Sequence, residues 1–233
     1  MRLDYSYLDR NMACVQQRLA DASSASGRAA ADILLMPAVK YADAGEINHL
    51  HKNLGVNHIG ENRVQQLLEH WEGIERDGLN VHFIGSLQTN KVKYIIDKVC
   101  LIHSLDSERL CAEIDRQAKK HGIAMDVLVE INSGSEESKG GVLPCDVPNF
   151  CDAIAKYSYV NLRGFMTMAP RCEDKSEYHK YFSQTKKLCD EIWYNKLKKT
   201  VPPILSMGMS ESFEAAIAEG STLIRVGRAL FAK

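Results

Sequence analysis

Lys40 closes a short apolar run, Ile33-Leu34-Leu35-Met36-Pro37-Ala38-Val39, that reads as a buried first β-strand. A primary amine at the mouth of a barrel, sheltered by apolar walls, loses part of its ammonium hydration. That favours the free amine, which can condense with the carbonyl of an aldehyde cofactor. A solvated lysine at the end of a strand is the ordinary alternative. A second constellation lies towards the C-terminus, where Ser206-Met207-Gly208-Met209-Ser210 and Arg225-Val226-Gly227-Arg228 each sit at the end of an apolar run. Ser210 is expected to cap a helix over 211–219 and leave that helix's first N–H groups aimed at an anion, while Gly227 lets the neighbouring backbone come close. An ordinary N-cap and an ordinary turn glycine are the alternative at those two positions.

These residues need elements to position them. Strand-like runs at 33–39, 58–60, 81–85, 101–105, 127–131, 162–168, 204–207 and 223–226 alternate with helical patterns. The clearest helices are 107–121, with Leu110, Cys111, Ile114 and Ala118 as an apolar stripe, and a long charged stretch over 173–199. Eight β/α units predict a single-domain (β/α)8 barrel spanning 1–233, with a helix over 5–22 as a lid beneath it. A doubly wound open sheet is the structural alternative. In a barrel the chemistry belongs at the carboxyl ends of the strands, where Lys40, the Gly60-Glu61-Asn62 turn, the 85–91 segment, the 132–141 loop, Ser206 to Ser210 and Arg225 to Arg228 all fall. The glycine-bounded 134–141 loop has the composition of a mobile cover.

With 233 residues and a net charge of -1, nothing in the global charge steers the chain to nucleic acid or a membrane. The first residues lack the apolar core of a secretory signal, so a cytoplasmic location is expected. Seven cysteines without CxxC pairing indicate neither a disulfide framework nor a zinc site. His49 and His51 are expected on the surface. His82 and His103, in strands, are expected as hydrogen-bonded structural residues, and the Lys91–Lys93 run as a solvated helix face.

Seven segments occur in order and at matching spacing: Pro37-Ala38-Val39-Lys40, His58-Ile59-Gly60-Glu61-Asn62, His82 to Lys91, Glu136-Glu137-Ser138-Lys139-Gly140, Gly164-Phe165-Met166-Thr167-Met168, Leu205 to Ser210, and Ile224-Arg225-Val226-Gly227. Together they closely resemble the pyridoxal phosphate homeostasis family, relatives of the amino-terminal barrel of alanine racemase. The resemblance implies pyridoxal 5'-phosphate held as an internal aldimine on Lys40. It places Asn62 near the cofactor ring and Arg225 opposite the pyridine nitrogen, with Ser206, Ser210, Gly227 and the Arg228 backbone around the phosphate. The sequence departs from the family's commonest form beside the lysine, where Val39 and Tyr41 replace the usual neighbours.

Arginine cannot accept a proton, so Arg225 at the ring nitrogen would keep that nitrogen unprotonated and the ring a poor carbanion sink. The resemblance therefore implies a cofactor carrier that serves pyridoxal phosphate homeostasis and hands its cargo to recipient enzymes. A low-activity amino-acid racemase or lyase is the alternative, with Lys40 as its single base. Alanine racemase brings a second base from a β-rich domain in a dimer. The present chain has no residues for that domain, so a monomer is expected. On its other side, Arg225 could instead pair on the surface with Glu211 or Glu219.

Overall fold

Runs of three to eight residues, buried on both faces, form the strands of a parallel sheet. In this computed structural model, which describes residues 4–134 and 140–233, they are β1 (Leu34–Pro37), β2 (His58–Glu61), β3 (Asn80–Phe83), β4 (Leu101–Leu105), β5 (Met125–Ile131), β6 (Val160–Thr167), β7 (Ile204–Ser206) and β8 (Leu223–Val226). Their order is β1-β8-β7-β6-β5-β4-β3-β2, all parallel. The two ends of that order meet where Ala38 bridges Gly60 and the Val39 N–H donates to Gly60 O at 3.0 Å. The sheet is thereby a barrel, and the open doubly wound alternative is excluded. The segment 135–139 of the expected cover loop lies outside the described residues.

The helices are α1 (Ser6–Ala25), α2 (Ala44–Leu54), α3 (Val64–Trp71), α4 (Glu108–His121), α5 (Val147–Ile154), α6 (Glu177–Asp190), α7 (Phe213–Ala218) and α8 (Arg228–Phe231). After β3 the chain makes a 3-10 helix over Thr89–Tyr94, and α6 continues into a π turn over Glu191–Lys196, so the long helix expected over 173–199 is shorter and changes pitch. Helix α2 starts on a capping box. The Glu46 N–H donates to Asp43 Oδ1 at 2.8 Å, and the Asp43 N–H donates to Glu46 Oε2 at 2.9 Å. Such a cap contributes about 1 kcal/mol, and here it anchors the turn that follows Lys40.

Helix α1 does not cover the bottom of the barrel. It lies against α7 and α8, with Leu8, Met12, Val15 and Leu19 buried. Asn11 Nδ2 donates to Leu230 O and Ala232 O at 2.9 Å each, and Arg28 Nη1 donates to Ile217 O and Ser221 O. The reason is the brevity of α8, a single turn. One turn cannot cover the seam between β8 and β1, and the apolar stripe of α1 supplies the missing ring helix. His51 also departs from expectation. It is buried, with its ring nitrogens 2.8 Å from Val56 O and 2.9 Å from Asp77 O.

Two apolar shells result. The large one, with Phe83, Phe165, Phe182 and Phe213, lies between strands and helices. Inside the barrel, Met36, Ala38, Ile84 and Leu223 pack as one group and Leu101, Leu128 and Met166 as another. Also on the strands and buried are His82, His103, Ser206 and Arg225.

Candidate functional site

A cleft of about 690 Å³, its open mouth included, lies at the carboxyl ends of the strands. Strand register explains what lines it. Met36 pairs with Arg225 and Pro37 with Val226, and the Ala38 N–H donates to Val226 O at 2.9 Å, so the chain brings Lys40 out beside Gly227. A Cβ on Gly227 would lie 3.1 Å from Ala38 O, a tight approach. Asn62, Arg225, Gly227, Ser210 and the Arg228 residue share the cleft with Lys40, and Met168 and Met209 stand exposed at its rim. Lys40 is exposed rather than enclosed by apolar walls. Its Nζ sits 4.7 Å from the ring centroid of Tyr41, itself 58% exposed.

Arg225 is buried at the floor. Nη1 donates to Ser206 O at 2.7 Å and Ser206 Oγ at 2.6 Å, and Nη2 donates to Thr167 O at 2.9 Å. Burial lowers its pKa to about 10, with the nearby Glu130 charge opposing, so the guanidinium stays cationic at neutral pH. The surface pairing with Glu211 or Glu219 does not occur. Glu211 accepts from Arg228 Nη1 at 2.5 Å, and Glu219 lies 2.9 Å from His179 Nδ1.

Ser210 does not cap α7. That helix begins at Phe213 with Ser212 as its N-cap residue, because residues 210–212 form a turn in which Ser212 Oγ accepts from the Met209 N–H at 3.2 Å. Ser210 Oγ instead accepts from the Ala229 N–H at 3.2 Å, at the start of α8. Ser206, 0% exposed, has its hydroxyl on Arg225 and His103, beneath the cleft floor and not among its lining residues.

One acidic residue of the site, Glu130, lies outside the motifs, and a second, Glu61, lies within one but carried no assigned role there. Glu130, on β5, opens onto an adjoining space with Lys40. Burial, aided by Asp106 and opposed by Arg225, pushes its pKa up to about 7, so this carboxyl can give or take a proton near neutrality. Its signal in the sequence is an acid inside the otherwise apolar run 127–131. Glu61 accepts from His70, whose Nδ1 lies 2.6 Å from Glu61 Oε1 and whose Nε2 lies 3.1 Å from Ala42 O. This pair braces the backbone just before Asn62.

The hydrogen bond that His70 donates to Glu61 holds the His70 pKa above its ordinary value, against burial. A folded-state pKa above the unfolded one stabilises fully below about pH 6.5, and the contribution is lost as pH rises through the folded value. Urea midpoints between about pH 6 and pH 9 should therefore fall more steeply for the wild type than for His70→Gln. Parallel pH profiles would show that the pair contributes no proton-linked stability.

Among the described residues no helix is long and apolar enough to cross a membrane, and no group of His, Cys, Asp or Glu could hold a metal ion. The seven cysteines are free thiols in this structure, with Cys111, Cys151 and Cys189 buried.

The barrel is of the alanine racemase type: the family described as alanine racemase, N-terminal domain, matches residues 4–233. A pyridoxal phosphate homeostasis protein of Aquifex aeolicus is 41% identical over 217 residues, covering 93% of this chain and 94% of the relative. A crystal structure of an unknown protein from Bifidobacterium adolescentis superimposes with a TM-score of 0.90 at 32% identity, covering 99% of this chain and 98% of that one. PipY of Synechococcus elongatus PCC7942 with PLP bound gives a TM-score of 0.79 at 29% identity, covering 94% and 100%. The chain therefore belongs to the family of pyridoxal phosphate homeostasis proteins.

Proposed function

We propose that the cleft binds pyridoxal 5'-phosphate covalently through Lys40, and that the protein holds and releases this cofactor within the cytoplasm rather than using it for a dedicated turnover. One observation carries the proposal. An exposed primary amine, a buried guanidinium and a glycine-lined backbone turn meet in a single cleft of a chain similar to a PLP-bound protein. The cleft also fits the group in one detail. Asn62 Oδ1 is buried there with no hydrogen-bond partner among the described residues, an unsatisfied state that a polar ligand would relieve.

The cofactor, when bound, supplies an aldehyde carbon and an electron-accepting ring. Lys40 provides the nucleophilic amine. Its exposure leaves the attachment open to exchange with water or an incoming amine, which suits a protein that must hand its cargo over. Arg225 places a fixed positive charge at the floor, where it donates hydrogen bonds and cannot accept a proton. Such a partner leaves a ring nitrogen unprotonated and does not promote carbanion chemistry. Ser210, Gly227 and the Arg228 backbone form the end suited to the phosphate, with Ser206 acting from below through Arg225. The protein is read as acting as a monomer that passes its cofactor to recipient enzymes.

The test is an absorbance spectrum after incubation with pyridoxal phosphate, then borohydride reduction and peptide mass analysis. The expected label falls on the peptide containing Lys40. A label on other lysines alone would remove the proposal, and a sustained Lys40-dependent turnover of an amino acid would replace the carrier with a racemase or lyase.

A further inference from the structure

Three histidines run through the barrel in a file that the cleft itself does not explain. His58 Nδ1 lies 2.9 Å from His82 Nε2, His82 Nδ1 lies 2.9 Å from His103 Nε2, and His103 Nδ1 lies 3.0 Å from Ser206 Oγ, which accepts from Arg225 Nη1 at 2.6 Å. The file starts at the half-buried His58 at the opening of β2, passes through β3 and β4, and ends on β7 and β8 beneath the cleft. His103 is 0% exposed and His82 4%. Polar rings in such a place are costly unless bonded, and here each is bonded on both nitrogens.

The hydrogen inventory gives the file a direction. Arg225 can only donate, so Ser206 Oγ is an acceptor in that bond. The hydroxyl hydrogen of Ser206 then requires an acceptor of its own, and His103 Nδ1 is the one its oxygen meets. A neutral imidazole that accepts at Nδ1 carries its hydrogen on Nε2. His103 therefore donates from Nε2 to His82 Nδ1, and His82 donates from Nε2 to His58 Nδ1. The reverse direction would leave the buried Ser206 hydrogen without an acceptor. Neutrality is enforced by the surroundings: burial pushes His82 down to about 3 and His103 well below its ordinary value, with the Arg225 charge adding to the latter.

We propose that His58, His82 and His103 are positioning residues, forming one directed hydrogen-bond relay that acts through Ser206 to hold the Arg225 guanidinium in place beneath the cleft. A hydroxyl that donates to an imidazole is a stronger acceptor, so each bond of the relay tightens the bond from Arg225. Three of the guanidinium's five N–H groups are fixed by Ser206 and Thr167, and that fixes the plane presented to whatever occupies the cleft. The effect on a cofactor rests on the function proposed above, whereas the relay itself does not.

Nitrogen-15 NMR of the full chain, without added cofactor, tests the relay directly. The expected result is the Nε2–H tautomer at all three histidines, with His82 and His103 neutral at neutral pH. An Nδ1–H form at His103 would overturn it. His82→Leu breaks the file two bonds from Arg225 and alters no residue that lines the cleft. Its Arg225 side-chain N–H signals should lose their slow exchange, and pyridoxal phosphate should dissociate about three- to tenfold more readily, with a shifted absorbance band but the same labelled lysine. His82→Gln, whose amide can accept from His103 and donate to His58, should restore both. Unchanged Arg225 signals in His82→Leu would overturn the positioning role even with the tautomers as expected. If His82→Leu does not fold, the wild-type tautomers decide. A wild-type protein that shows the tautomers but takes no label at Lys40 would remove the function proposed above and leave the relay standing.

Discussion

Replacing Lys40 by Ala should abolish the borohydride-stable attachment of pyridoxal phosphate and weaken its retention at least about a hundredfold, equivalent to about 2.8 kcal/mol. The remaining contacts, from Arg225, Asn62 and the 227–228 turn, are noncovalent and can hold the group only reversibly. Lys40→Arg separates the two things a lysine supplies. Arginine keeps a positive charge at the cleft mouth but offers no free amine at any ordinary pH, so it should fail as completely as Ala in the trapping experiment while retaining more of the noncovalent affinity. The contact of Lys40 with Tyr41 does not oppose attachment strongly. An exposed cation over an aromatic ring is worth about 0.5–1 kcal/mol, which an amine gives up readily for a covalent bond. A reduced adduct that persists elsewhere on the chain in Lys40→Ala, in the same yield, would sink the assignment.

The strands were legible because a parallel barrel buries both faces of each strand, and the run ending at Val39 then has no polar face to confuse the pattern. Helix α1 was legible as an element but not in place. Leu8, Met12, Val15 and Leu19 announce a buried stripe, yet nothing in their spacing says that α8 will be one turn long and leave a seam to cover. Ser210 failed as a cap for a related reason: the turn at 210–212 shifts the start of α7 by two residues, and the serine is spent on α8. Arg225 could be placed only by the fold. Its sequence neighbours allow a surface ion pair as well as a buried donor, and the choice is made by β7 and β6 supplying Ser206 and Thr167. The histidine file was invisible as a file, since its members are 24 and 21 residues apart and meet only when β2, β3 and β4 pair in register.

Gly85→Ala should be the most damaging conservative change near the site. Gly85 is not among the residues with positive φ, so its backbone conformation is open to any residue and the whole effect must be steric. A Cβ there would lie 1.9 Å from Asn62 O and 2.7 Å from Asn62 C, both backbone atoms that cannot rotate away. The Ile84 N–H, donating to Glu61 O at 2.8 Å, ties the same two segments together, so relief requires that bond to stretch. The expected cost is about 2–4 kcal/mol, which lowers the melting temperature by roughly 4–16 °C in a domain of this size. Because the displaced segment carries Asn62, retention of pyridoxal phosphate should fall as well, beyond what the lost stability alone accounts for. Gly27→Ala is the matching control, since φ there is +65° but nothing lies within 4 Å. It should cost only about 1–2 kcal/mol of backbone strain and leave the cleft untouched. A Gly85→Ala protein that melts and binds like the wild type would mean that β2 and β3 part at their upper ends without resistance, and that the position of Asn62 is not set by the close approach of Gly85.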